Sequence, residues 1–160
     1  MKNLILVRHG KSGYDNFTTD KNREISEIGI ERTTKVALNS STLITDSTVF
    51  WTSSATRAAS TAAIFADALA ISKNLLLVKD ELYTFNVDGL KSAIQSIPDH
   101  IDKIMLFGHN PAFTDFINDC TNLKIDNLPT SGLVSIEFET QSWRHLPKGL
   151  VVKTLFAKDL

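Results

Sequence analysis

The chain has 160 residues, enough for one domain with its own apolar core. Hydrophobic residues make up 42% and charged residues 22%, the balance of a globular chain and not of a disordered one. The 17 Lys plus Arg set against 18 Asp plus Glu give a formal charge of -1, which argues against a protein that coats nucleic acid, because backbone binding needs concentrated positive charge.

Leu4 to Val7 is a short apolar run that reads as a buried strand ending at Arg8-His9-Gly10. With Arg8 closing it, Met1 to Val7 is too short for a signal peptide, and no later segment reaches the ~18 apolar residues of a membrane helix. A cytoplasmic protein without a membrane partner is expected. Gly13, Asn16 and Asp20 mark a loop. Ser26 caps a helix running to about Leu38, with Ile28, Thr33, Val36 and Ala37 facing inward and Gly29 weakening its first turn. Val49 to Thr52 is a second strand, and Ser53-Ser54 turn the chain into an alanine-rich helix from Thr56 to Ala70. Leu75 to Val78 is a third apolar run, read as a strand, and Glu81-Leu82-Tyr83 follow in a loop.

Asp88 opens a helix that stops near Ile97 before Pro98. Lys103 to Phe107 is a fourth strand, followed by Gly108-His109-Asn110-Pro111, where Asn110 caps a helix whose first position is Pro111. Phe113, Phe116 and Ile117 share the buried face of that helix, and Cys120 near its end belongs with the core. As the single cysteine, Cys120 excludes an internal disulfide and a thiolate metal cluster. Leu133 to Glu139 alternates and reads as a half-buried strand; Trp143 to Gly149 is a turn, with Trp143 a candidate surface aromatic; Val151 to Phe156 is the last strand. Strands alternating with helices, then two closing strands, imply an α/β chain with helices on both faces of a largely parallel sheet and an antiparallel edge. There is no repeat, low-complexity tract or linker, so residues 1–160 are expected to form one domain, and the composition fits a monomer.

Three polar clusters follow predicted strand ends, the position where ligand sites gather in such sheets. Arg8 offers a planar fork of donors to phosphate oxygens, and His9 a ring nitrogen that can attack phosphorus, although a strand-end histidine can also simply bond the backbone. His109, before a helix N-terminus, suits an anion, while Asn110-Pro111 serves at least as a cap. Arg57 has alanines on both sides and needs an anionic partner, either a bound anion or an acidic side chain. Arg23 follows Asp20 and Lys21 and fits a surface role as well as a phosphate contact. Ser12 bonds an anion or caps its turn, and Tyr83 and Phe85 line the pocket mouth or cover the core.

The stretch Arg8-His9-Gly10-Lys11-Ser12 resembles the signature loop of the histidine phosphatase superfamily, and within it the chain is similar to the small SixA-like phosphohistidine phosphatases. The resemblance continues through Arg23 with Ile25, Ser26 and Gly29, through Ser53 to Ala58 and Thr61-Ala62, then Glu81-Leu82-Tyr83, Gly108 to Pro111, and Pro129 to Gly132. Departures are Ile25-Ser26, where leucine-threonine is commoner, and Ala55, where proline is frequent. The resemblance implies a three-layer α-β-α sandwich around a mostly parallel mixed sheet, of the phosphoglycerate mutase type. It implies His9 as the phosphorylated nucleophile, Arg8, Arg57 and His109 around the phosphoryl group, and Arg23 as a further phosphate contact; Ser12 and Asn110 are further candidates for substrate binding.

The expected reaction is hydrolysis in two in-line transfers, without a cofactor and without a metal, since His9, His100, His109 and His145 form no short-spaced ligand pair. Glu81 is the candidate general acid, or else a solvent-facing loop carboxylate. The expected partner is a phosphorylated protein, with phosphohistidine its reactive group, or a small phosphorylated substrate. The rival readings are a small-molecule phosphomonoesterase, a mutase and a non-catalytic phosphate-binding module. A nucleotide-binding loop is disfavoured, because Gly10-Lys11-Ser12 lacks the earlier glycine.

Overall fold

The structure is a computed structural model that describes residues 1–13 and 18–160; Asn16, expected in the loop after the first strand, lies outside the described residues. Strand β1 (Lys2–Arg8) carries four consecutive buried residues, Leu4 to Val7, with both faces covered, as a central parallel strand requires. Helix α1 (Glu27–Leu38) follows, then β2 (Val49–Thr52), α2 (Thr56–Ala68), β3 (Leu76–Val78), α3 (Val87–Gln95), β4 (Lys103–Gly108), α4 (Ala112–Cys120), β5 (Leu133–Phe138) and β6 (Leu150–Leu155). The six strands form one sheet in the order β3-β2-β4-β1-β5-β6. β3, β2, β4 and β1 run parallel; β5 is antiparallel to β1, and β6 to β5.

Side chains on β1 alternate between two cores. Leu4 and Leu6 join Ile104 and Leu106 against α3 and α4, through Leu90, Ile94, Phe113 and Phe116. Ile5 and Val7 join Met105 and Phe107 against α1 and α2, through Val36, Ala37, Ala62 and Phe65. The chain is therefore a three-layer α-β-α sandwich with a mixed sheet, as expected.

Several local expectations are corrected. Ile28 is 40% exposed; Gly29 takes the inward position, because an added Cβ there would lie 2.3 Å from the Lys11 carbonyl oxygen. Ser26 does cap α1: its Oγ accepts from the Gly29 N–H and donates to that same Lys11 oxygen. Asn86, not Asp88, caps α3, its side chain accepting from the Asp88 N–H at 2.7 Å. Helix α4 begins at Ala112 with Pro111 outside it, yet Asn110 Oδ1 still accepts from the Thr114 N–H and hydroxyl.

Leu75 belongs to a 3-10 turn, and the edge strand β3 leaves Leu77 and Val78 exposed. Strand β5 is buried on both faces, not one, because a core lies on each side of it, with Leu133 in one and Val134, Ile136 and Phe138 in the other. Trp143 is fully buried, with its indole N–H donating to the Ile101 carbonyl at 2.7 Å.

Candidate active site

The strand register sets the geometry of the site. Arg8 on β1 pairs with Gly108 on β4, and the His9 N–H donates to the Gly108 carbonyl at 3.0 Å. His9 and His109 therefore leave the sheet side by side, with ring centroids 5.3 Å apart. Next along the sheet, β2 ends at Thr52 and the Ser53 N–H bonds the Phe107 carbonyl, so α2 starts beside β4 and presents Arg57 from its first turn. His9, Arg57 and His109 are all buried. The three strand-end clusters thus converge, as their sequence positions imply.

Gly10 allows the approach of its neighbours: a Cβ there would lie 2.4 Å from Ile25 Cδ1 and 2.7 Å from Thr33 Oγ1. Its N–H donates to Thr61 Oγ1, whose hydroxyl donates in turn to the Arg57 carbonyl. The loop after β1 is thereby fastened to the helix that carries Arg57. On the other side, Ser131, in the left-handed region with φ of 63°, donates its N–H to the His9 carbonyl.

The surroundings of His9 fix its proton. Nδ1 lies 2.8 Å from the Gly10 carbonyl oxygen, which can only accept, so Nδ1 carries the hydrogen. Arg57 Nε lies 3.3 Å from His9 Nε2 and can only donate, so Nε2 holds a lone pair. Burial, opposed by the Gly10 bond and reinforced by the positive charge of Arg57, Arg8 and Arg23, lowers the pKa to about 4. At neutral pH the ring is uncharged, with its lone pair on Nε2.

His109 Nε2 lies 2.8 Å from Ser53 Oγ, which also accepts from the Ala55 N–H. Burial first, then the neighbouring His9 and Arg57, push its pKa down to about 3. Among the described residues, His109 Nδ1, Arg8 Nε and Ser54 Oγ are buried without a hydrogen-bond partner. Unsatisfied buried groups of this kind are rare. Phe85 and Tyr83 flank His109, with ring centroids 5.1 and 5.6 Å away, and so line the edge of the site.

Arg8 donates from Nη1 to the Leu128 carbonyl at 2.8 Å, and its charge is felt at His9. Arg23 donates to Ser12 Oγ at 2.5 Å, so these two predicted residues are joined. Asn110 Nδ2 donates to Asn127 Oδ1 and the Leu128 carbonyl, which leaves its amide occupied in organising the loop. Glu81 is exposed on a 3-10 turn and, among the described residues, makes no hydrogen bond or ion pair.

Sequence reasoning missed Asp20. Its Oδ2 lies 3.1 Å from Arg57 Nη2 and accepts from the Tyr83 hydroxyl at 2.6 Å, its Oδ1 lies 3.2 Å from Arg23 Nη1, and its carbonyl accepts from Arg57 Nη1 at 2.6 Å. The Tyr83 bond first, helped by Arg57 and Arg23, holds its carboxyl below the usual range against the opposing effect of burial, while the same bond pushes the Tyr83 hydroxyl up. The acidic partner considered for Arg57 is thus Asp20, and its spacing of three residues from Arg23 was the available signal. No cluster of three or more potential metal ligands occurs among the described residues.

The family model of the histidine phosphatase superfamily (branch 1) matches residues 4–100, and the chain belongs to that superfamily, a class of phosphatases. In structure it is similar to the protein histidine phosphatase SixA complexed with tungstate, with a TM-score of 0.80 and 16% identity, covering 98% of both chains. It is also similar to SixA from Agrobacterium tumefaciens, with a TM-score of 0.79 and 19% identity over 96% of this chain and 97% of that one. A mycobacterial glucosyl-3-phosphoglycerate phosphatase follows, with a TM-score of 0.67 and 12% identity over 95% of this chain and 97% of that one. At these identities the likeness is one of fold. Comparison with curated proteins gives no match. No helix of the described residues is long and apolar enough to cross a membrane.

Proposed function

We propose that the chain is a phosphatase that works through phosphorylated His9 and acts on phosphohistidine carried by a protein. The observation that carries this reading is the proton arrangement of His9, with Nδ1–H held by the Gly10 carbonyl and a lone pair on Nε2. Nε2 attacks phosphorus as the bond to the leaving group breaks. Phospho-His9 then keeps its Nδ1 hydrogen and so bears a positive ring, which leaves readily when water attacks. The departing ring recovers its lone pair, and the proton lost by water stays on the released phosphate.

Arg57 and Arg8 supply donors to the phosphoryl oxygens, and His109 adds Nδ1–H when the Ser53 hydroxyl donates to its Nε2. Arg23 and Ser12 form an outer pair reaching the same cradle. Asn110 acts through the shape of its loop. The substrate class rests on the likeness to SixA over nearly the whole chain and on leaving-group chemistry. A phosphohistidine ring protonated on its distal nitrogen leaves as neutral imidazole, whereas an alkoxide needs an acid, and exposed Glu81 is the candidate for that role.

The test is hydrolysis of a phosphohistidine protein beside an alkyl phosphate. His9→Ala is expected to abolish both turnover and acid-labile labelling of the enzyme. Glu81→Gln is expected to lower alkyl phosphate hydrolysis about tenfold or more while sparing phosphohistidine. Labelling retained in His9→Ala defeats the nucleophile, and phosphate bound without release defeats the enzyme reading in favour of a binding module. Higher catalytic efficiency on small esters than on the phosphoprotein favours the phosphomonoesterase, and isomerised product without free phosphate favours a mutase.

A further inference from the structure

The carboxylate of Asp20 occupies arginine donors that the proposed function assigns to a phosphoryl group. It meets Arg57 Nη2 at 3.1 Å and Arg23 Nη1 at 3.2 Å, and Arg57 also contacts His9 Nε2 through its Nε. A carboxylate and a phosphoryl group present alike to a guanidinium, as paired oxygen acceptors in one plane. The two partners of the closer ion pair are unequal in burial: the Arg57 side chain is 3% exposed and that of Asp20 46%. Arg57 therefore cannot leave without stranding its charge, whereas Asp20 can exchange its arginines for water at little cost.

We propose that Asp20 is a specificity-determining residue: a resident anion that holds the arginines in their productive orientation and must be displaced by the incoming phosphoryl group. The proposal rests on the phosphatase reading and concerns the charge that its site accepts. A single-charge carboxylate on an exposed stem is outcompeted by a dianionic phosphoryl group with three equatorial oxygens. It competes far better against singly charged anions, including the dihydrogen phosphate released at the end of the cycle. Asp20 thus sets a charge threshold for entry and helps expel the product. Tyr83 gives the returning carboxylate a fixed seat through its hydroxyl.

The experiment compares wild type with Asp20→Asn and Asp20→Glu, using calorimetric titration with tungstate and with inorganic phosphate, and the inhibition constant of phosphate during turnover. Asparagine keeps the size of the side chain and one acceptor but removes the charge. Asp20→Asn is expected to bind both probes about fivefold to tenfold more tightly, to show stronger product inhibition by a similar factor, and to lower KM without raising kcat. Asp20→Glu is expected to restore the wild-type constants in large part.

Unchanged or weaker binding by Asp20→Asn overturns the proposal, because a mere structural brace loses affinity when weakened. Turnover by wild type with that result leaves the phosphatase reading intact. Absence of turnover on any phosphorylated substrate is instead a failure of the phosphatase reading itself.

Discussion

His9 sits between a carbonyl that only accepts and a guanidinium that only donates, and this pair of neighbours, more than the ring itself, puts the hydrogen on Nδ1 and the lone pair on Nε2. The same burial and positive charge that hold it neutral lower its pKa to about 4, and that of His109 to about 3. NMR titration of the ring signals is therefore expected to show both imidazoles unprotonated well below pH 6, with a midpoint near 4 for His9 and a lower one for His109. Midpoints near the ordinary ~6.5 would contradict the described surroundings. His9, Arg57 and His109 were legible in the sequence because each follows an apolar run that must end at one edge of the sheet. Asp20 was not, since an aspartate in a polar loop reads first as a turn former, and its partners Arg57 and Tyr83 are neighbours only in space.

At the level of elements, the contact between α1 and the loop after β1 is made at Gly29. Alanine is the better helix former by ~1 kcal/mol, so Gly29→Ala would stabilise a free helix. Here its Cβ would meet the Lys11 carbonyl at 2.3 Å and Ile25 Cγ1 at 2.8 Å. The substitution is expected to destabilise the protein by about 1–3 kcal/mol in urea unfolding and to reduce turnover by displacing Arg8-His9-Gly10. Periodicity identified the helices but not which glycine marked a close approach. It likewise placed the α3 start near Asp88 while the structure uses Asn86, because both side chains are able caps and only the chain path distinguishes them. Ile28 shows the complementary error: the inward face of the first turn is set by that backbone contact and not by hydrophobicity.

For the molecule as a whole, two buried neutral histidines make stability depend on acidity. As pH falls below ~6.5 the unfolded chain takes up protons that folded His9 and His109 refuse. Their contribution is complete above that value and is lost as pH falls toward about 4 for His9 and about 3 for His109. For His9 alone the loss is of the order of 3 kcal/mol. Urea unfolding from pH 7 to 4 is expected to show this decline, and the double substitution His9→Asn with His109→Asn to flatten it. The sheet's overall plan was readable because strands and helices alternate until the last two strands. That β5 has a core on each face, and that Trp143 is buried with its indole on the Ile101 carbonyl, depends on chain segments distant in sequence, which no local pattern reports.

The antiparallel course of β5 carries the chain from Leu133, level with Val7, to Phe138, level with Lys2, so the following turn lies at the pole of the sheet opposite His9 and His109. Gln141 in that turn is exposed, and Cys120, the single cysteine, is half-buried with its thiol pushed up by burial. A thiol introduced as Gln141→Cys offers a fast-reacting handle for a dye or a solid support. An immobilised molecule tethered there would keep the end that bears His9 and His109 turned toward the surrounding solution.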